Sequence, residues 1–258
     1  MKRVVIIGGG NLAEAVAMAL AASSKVELTQ IYLRDAVRGE ELTQLTQVPY
    51  ATFEEPLSEA DIYLLAVSDG AIAPLSSSLN FAQGAIVAHT AGSTSIEALD
   101  KRLRRGVFYP MQTFTKGRRV HFETIPIFIE AFEQSVKEEL GELASAISSS
   151  VMELDSEHRR RLHLAAVFAC NFVNAMFIAA EEMVQSSQLP FEILKPLIEE
   201  CCAKACSAES PRDIQTGPAV RGDWATMERH TSMLCEQEQL KEIYNNISIY
   251  IWETLKRI

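Results

Sequence analysis

The chain has 258 residues, 48% of them hydrophobic, and a net charge of −10. That suits one large domain or two modest ones, each able to bury a core. The acidic balance argues against nucleic acid as a partner, because gripping a phosphate backbone needs a basic surface.

The opening residues predict a strand, a turn and a helix. Val4-Val5-Ile6-Ile7 is an apolar run, Gly8-Gly9-Gly10-Asn11-Leu12-Ala13 follows, and Leu12, Val16 and Leu20 recur at helical spacing. The turn fits G-x-G-x-x-A. Gly8 allows a tight exit from the strand, Gly10 lets a pyrophosphate approach the backbone, and Ala13 lets the helix pack closely on the sheet. The helix N-terminus then offers N–H groups to phosphates. Bracketed this way, the motif predicts dinucleotide binding through Gly8, Gly9, Gly10, Asn11 and Leu12; a purely structural turn is the competing reading. Lys2-Arg3 before an apolar run superficially resembles a signal peptide. Three glycines, Asn11 and Glu14 interrupt that run, so no export signal is expected.

A second strand is expected over 26–33, ending at Arg34-Asp35, then a helix over 36–45 and a short third strand over 49–52. A fourth strand is expected over 62–67, nearly all apolar as burial on both faces requires. Ser68-Asp69-Gly70 ends it, and Ser68 or Asp69 can cap the next helix. A fifth strand over 85–89 leads into Thr90-Ala91-Gly92-Ser93. Further strands are expected over 107–109, 127–129 and 151–154, with a helix over 132–147 between the last two. This alternation implies an α/β fold with a doubly wound, mostly parallel sheet. At the end of the second strand, an acid would hold the ribose of NAD and an arginine the 2′-phosphate of NADP. Arg34 can stack on adenine and hold that phosphate, which favours NADP. Asp35 can instead turn toward the ribose, or the two can be a solvated pair. Val67, Ser68 and Thr90 are expected at the carboxyl edge of the sheet, where a dinucleotide crosses.

After Leu154 strand signals largely stop. Helices are expected over 156–185, 190–206, from Asp223, and over 239–256, giving an α/β domain over 1–154 and an all-helical domain over 155–258. Leu162 to Ala180 approaches the length of about 20 residues that spans a bilayer. His163, Asn171 and Asn174 are costly in lipid, so a helix buried by other helices or by a dimer partner is expected, with no membrane. Cys170, Cys201, Cys202, Cys206 and Cys235 are odd in number and lack metal-ligand spacing. They are expected to be reduced, buried thiols of a cytoplasmic protein, with no metal.

Two segments mix turn residues with hydrogen-bonding side chains: Phe108 to Phe114, with Tyr109 and Gln112, and Gln215 to Asp223, with Thr216 and Arg221. Arg221 can bind an anionic group and Asp223 can cap a helix. His163, Val167, Asn171 and Asn174 lie near one helix face by spacing. His163 can exchange protons near neutral pH, and Asn171 can orient a carbonyl or hydroxyl. The blander reading is that these polar groups satisfy one another or nearby backbone.

Taken together, Gly8 to Ala13, Ala66-Val67-Ser68-Asp69, His89-Thr90-Ala91-Gly92, Tyr109 to Phe114, Leu162 to Phe172 and Thr216-Gly217-Pro218 resemble the 6-phosphogluconate-dehydrogenase-like superfamily. More closely, they resemble an uncharacterised branch of NADP oxidoreductases with a Rossmann-like first half and a helical second half. The resemblance implies a nicotinamide cofactor across the first domain, and a helical domain that closes the cleft and forms a homodimer. Several superfamily members carry a catalytic lysine one helical turn before an asparagine. Here Asn171 matches the asparagine, but Val167 stands at the lysine position. Tyr109 also stands where a histidine is expected in a segment similar to one in prephenate dehydrogenases.

Two readings follow. One is an oxidoreductase that passes hydride between NADP and a small carbonyl, hydroxy or imine substrate in the interdomain cleft. Tyr109 or His163 would donate the proton, Asn171 would orient the substrate, and Arg221, Gln112 and Thr216 would contact it. The other is a non-catalytic nucleotide-binding sensor or scaffold.

Overall fold

Apolar runs too short for helices build the middle of an eight-stranded sheet. The computed structural model describes residues Met1–Leu255. Strand β1 (Lys2–Ile7) is central, paired in parallel with β2 (Val26–Leu33) and β4 (Ile62–Leu65). β3 (Tyr50–Thr52) lies beyond β2. On the other side come β5 (Ile86–His89), β6 (Arg104–Pro110), β7 (Ile127–Ala131) and β8 (Val151–Glu153). The order is β3-β2-β1-β4-β5-β6-β7-β8, so the winding reverses between β1 and β4 and creates a topological switch point there.

Alternation along β1 divides the core between the two faces of the sheet. Val4 and Ile6 pack with Ala13, Val16 and Leu20 of α1 (Asn11–Ala21) and Leu140 of α4 (Gln134–Ser145). Val5 and Ile7 pack with Tyr63, Tyr109 and Ile72, the last from α3 (Asp69–Ser78). All four β1 residues are fully buried, which explains a run with no polar interruption.

β7 runs antiparallel to β6, and β8 follows β7 in parallel. This reversal positions one of the candidate side chains. Ile127 at the start of β7 pairs with Pro110 at the end of β6, so β7 and β8 run away from the carboxyl edge. Helix α5 (Ser156–Ala166) follows β8 and runs back, carrying His163 to Tyr109 near the end of β6. By its contacts α5 belongs with the sheet. The first compact unit is Met1–Asn171, whereas the sequence boundary at Leu154 falls where strand signals stop. Ser156 and Arg159 bond to Glu130 of β7, which ties the helix to the sheet.

Val167–Phe172 form a π-helical turn, which the sequence pattern does not predict. Its wider turn breaks the 3.6-residue period that would align His163 with Asn171 and Asn174. Asn171 is exposed.

The second unit begins at Phe172 and is helical: α6 (Val173–Ser186), α7 (Lys195–Ser207), the short α8 (Pro218–Arg221), α9 (Trp224–Met233) and α10 (Glu238–Leu255). Asp223 caps α9 as expected, accepting the Thr226 N–H at 3.1 Å. The expected end of the last helix at Lys256 lies outside the described residues.

The long apolar stretch is not covered within the chain, which leaves the dimer partner of the expectation, and the expectation of buried thiols fails. The Ser156–Ser186 stretch is long and apolar enough to cross a membrane, and none of its apolar window is buried by the rest of the chain. Leu164 and Ile178 on it are more than half exposed. Cys201, Cys202, Cys206 and Cys235 are exposed and Cys170 is half-buried, rather than all lying in the core. α7 buries none of its residues, so its thiols share its open surface.

Candidate functional site

A groove of about 580 Å³ runs along the carboxyl edge of the first unit's sheet. All nine residues expected to hold the cofactor line it, together with Tyr109, Gln112 and His163. At its middle the chain leaves β1 through Gly8, whose φ is +132° and whose N–H donates to the Tyr32 carbonyl at 2.8 Å. A Cβ there would stand 2.1 Å from the Ala66 carbonyl oxygen, so no side chain fits. Gly10 is the N-cap of α1, and no side chain caps this helix. A Cβ at Gly10 would meet nothing within 4 Å, which leaves open space before the helix N-terminus and its partial positive charge.

The turn is fixed from behind. Arg38, on α2 (Ala36–Thr46), donates from Nε to the Gly9 carbonyl at 2.9 Å and ion-pairs with Glu14 and Glu41. The buried Glu14 also accepts the Gly117 N–H at 2.8 Å. Asn11 donates to the Phe114 carbonyl at 3.1 Å, so the segment after β6 is strapped to the start of α1.

At one end of the groove lie Arg34 and Phe53, with the Phe53 ring 5.1 Å from that of Tyr32. The alternatives at Arg34-Asp35 separate here. Asp35 is the N-cap of α2, accepting from the N–H groups of Val37 at 3.0 Å and Arg38 at 3.3 Å. Its carboxylate serves the helix, while Arg34 is left along the groove.

At the other end, Ser68 occupies the N-cap position of α3 without a side-chain capping bond. Asp69 does not cap either; it accepts from the hydroxyls of Ser93 and Thr94, the latter at 2.8 Å. Burial acts to raise the Asp69 pKa, but these two hydrogen bonds, together with the nearby His89 and His163, hold the carboxyl below its usual value. Thr90 is buried, and its N–H and hydroxyl both reach the Leu65 carbonyl, at 3.2 and 3.4 Å. The Tyr109 hydroxyl lies 3.3 Å from His163 Nδ1. Burial pushes the Tyr109 pKa up, and the nearby Arg159 cation only partly opposes it. Gln112 turns its side-chain oxygen to the Thr113 N–H at 2.9 Å.

Beneath this end lies a buried polar layer. Arg159 is fully buried and ion-pairs with Glu130. His89 is fully buried too, its Nδ1 accepting the Ala91 N–H at 3.2 Å. Burial lowers the His89 pKa to about 4, and Arg159 acts in the same direction.

Three expected site residues do not line the groove. Asn171 is in the π-turn. Thr216 lines a separate apolar cavity of about 520 Å³ within the second unit, with Met176, Met183 and Ile247. Arg221 is exposed at the end of α8. Conversely, Glu14, Arg38, Phe53, Glu130 and Arg159 escape the sequence reading. Arg159 was legible in part: it precedes His163 by four residues and so shares its helix face.

This geometry defines a Rossmann-like unit. A family model described as a Rossmann-like domain matches residues 1–112, and one described as a domain of unknown function, DUF2520, matches residues 125–251. A putative NADP oxidoreductase from Bacteroides fragilis is 38% identical over 98% of each chain, with a TM-score of 0.90. The chain therefore belongs to the family that joins a Rossmann-like domain to a DUF2520 domain. A protein from Thermotoga maritima is 22% identical, covering 98% of this chain and 99% of its own, with a TM-score of 0.81. A 1-pyrroline-5-carboxylate reductase from Streptococcus pyogenes is 14% identical over 98% of each chain, with a TM-score of 0.66. These last two share the fold. No curated protein matches the sequence.

His89 yields a prediction on stability. Its folded pKa of about 4 lies below the ordinary 6.5, so the unfolded chain takes up the proton first. Stability is therefore full above about pH 6.5 and falls as pH drops toward 4. At about 1.4 kcal/mol per unit, the loss by pH 5 is on the order of 2 kcal/mol. Urea midpoints at pH 7.5 and pH 5 check this: His89→Gln is expected to shrink the difference, and an undiminished difference would assign the acid sensitivity elsewhere.

Proposed function

We propose that the protein is a cytoplasmic NADP-dependent oxidoreductase acting on a small carbonyl, hydroxy or imine substrate. One observation carries this reading: the glycine turn, Arg34 and the Tyr109–His163 pair line a single groove at the switch point of the sheet. The open approach at Gly10 and the uncapped N-terminus of α1 fit a pyrophosphate. Arg34 and Phe53 would hold the adenine end, with Arg34 on the 2′-phosphate. Val67, Ser68 and Thr90 would line the nicotinamide half. A bound nicotinamide supplies the hydride chemistry; the protein supplies position and protons.

Tyr109 is the proposed proton donor and His163 the group that returns its proton, since their polar atoms are within 3.3 Å. Gln112 would contact the substrate. An imine suits a site without the superfamily lysine, because its nitrogen is more basic than a carbonyl oxygen and can take its one proton from a donor as weak as Tyr109. The name of the Bacteroides fragilis relative supports NADP as the cofactor, and the free thiols suit a reducing compartment.

Fluorescence titration with NADPH and then NADH tests the first half. Arg34→Ala is expected to weaken NADPH by about tenfold, ~1.4 kcal/mol, with little effect on NADH. Equal loss for both nucleotides would remove the 2′-phosphate role. Turnover on a panel of cyclic imines and ketones tests the second half. Tyr109→Phe and His163→Ala are each expected to lower kcat by roughly 10²- to 10⁴-fold while NADPH still binds. Unchanged turnover in both variants would discard the proton assignment. Tight NADPH binding by wild-type protein with no hydride transfer across the panel would favour the non-catalytic reading.

We also propose that a second copy of the chain covers the exposed apolar helices. Ile178, Leu197, Met233 and Tyr250 are all more than half exposed, an unusual surface for a monomer. Sedimentation velocity at micromolar concentration is expected to give a dimer, and a monomer there would refute the assignment.

A further inference from the structure

We infer that Arg159 and Glu130 are positioning residues, which hold His163 at the Tyr109 hydroxyl. The inference rests on the proposal that this pair handles the proton. It begins from a physical oddity: Arg159 is fully buried, and an arginine is rarely so unless its charge is matched. The match is extensive. Arg159 ion-pairs with Glu130 and donates to the Thr94 carbonyl, and its guanidinium lies 3.3 Å from Ser156 Oγ. Ser156 Oγ in turn lies 2.9 Å from both Glu130 oxygens and accepts the Ile96 N–H at 3.1 Å.

Stability alone is a poor account of this cluster. Desolvating a buried ion pair roughly cancels its attraction, and apolar residues of like volume are often as stable. What the cluster supplies is a fixed location. It joins three pieces of chain: β7 through Glu130, the loop after β5 through Thr94, and the first turns of α5 through Ser156 and Arg159. The same loop is held on its far side by Asp69, which takes the Ser93 and Thr94 hydroxyls.

His163 stands four residues beyond Arg159, on the same helix face and about 6 Å further along the axis. Anchoring residue 159 therefore sets both the height and the rotation of residue 163. The target is narrow. A Cβ at Gly92 would lie 2.6 Å from His163 Nδ1 and 2.9 Å from Tyr109 Cζ, so the imidazole fills the space between loop and ring. A shift of about 1 Å would break a contact already 3.3 Å long, and misplacements of that size cost on the order of 10²-fold in rate. The Arg159 cation also eases ionisation of Tyr109 against the effect of burial, which works in the same direction as the geometry.

The test uses the full chain and reads His163 directly. Long-range ¹H–¹⁵N spectra give its imidazole shifts, assigned with His163→Gln. In wild-type protein, Tyr109→Phe is expected to move the His163 resonances. The paired replacement Arg159→Met with Glu130→Leu exchanges the buried ion pair for apolar side chains of like volume and is expected to fold and to bind NADPH within twofold of wild type. In that background His163 should already show the Tyr109→Phe shifts, with no further change when Tyr109→Phe is added. Turnover of the best imine should fall at least tenfold in kcat, with KM within twofold. Should the pair fail to fold, Arg159→Lys, which keeps the charge but loses the fork, is expected to give the same loss of coupling. A folded variant of either kind whose His163 responds to Tyr109→Phe as wild type does would overturn the inference. Absence of NADPH binding or turnover in wild-type protein would instead defeat the oxidoreductase proposal, and the spectra would still decide the positioning role.

Discussion

The groove is organised around the contact between Gly8 and the carbonyl of Ala66, where backbone meets backbone with no room for a Cβ. That contact sets the ends of β1 and β4 at one level, at the point where the winding of the sheet reverses. The turn that follows aims α1 along the groove, and Arg38 holds it by the Gly9 carbonyl. A bulkier residue at position 8 would push β1 and β4 apart, and the central pairing would lose its register. The main-chain geometry that suits a phosphate is thus the same geometry that closes the centre of the sheet.

The other end of the site depends on a reversal of direction. Had β7 run parallel to β6, a helix following β8 would have started at the carboxyl edge and run away from it. Because β7 and β8 are reversed, α5 approaches that edge with its later residues, and His163 arrives beside Tyr109. Arg159 lies earlier on the same face, among groups from β7 and the loop after β5. One helix therefore carries both the buried anchor and the residue that meets Tyr109.

Much of this was legible in the residues. Val4 to Ile7 and Ile62 to Leu65 are apolar without interruption because both faces of the sheet are covered, and that leaves a mark in composition. The glycine turn is legible because its steric demands admit few residue types. Strand direction is not: Ile127 to Ile129 reads as a strand whichever way it runs, since alternation carries no polarity. The π-turn is hidden for a related reason, because Val167 to Phe172 suits an ordinary helix in every residue. Arg159 is masked by its neighbours Arg160 and Arg161, because three consecutive arginines do not say which one the fold buries. The thiols misled in the opposite sense, since apolar surroundings in sequence suggested burial that α7 does not provide.

Asp35 has a bearing on redesign. In many nucleotide folds, exchanging one cofactor for the other begins with the acid at the end of the second strand. Here that acid is already committed to the first turn of α2, the helix that carries Arg38 to the back of the glycine turn. Recruiting Asp35 for a ribose would loosen the very element that backs the glycine turn. A designer seeking the unphosphorylated nucleotide would have to install the acid at position 34. On the proposed reading, that single replacement would delete the phosphate anchor and introduce the ribose acceptor together, which would concentrate discrimination between the two nucleotides in one codon.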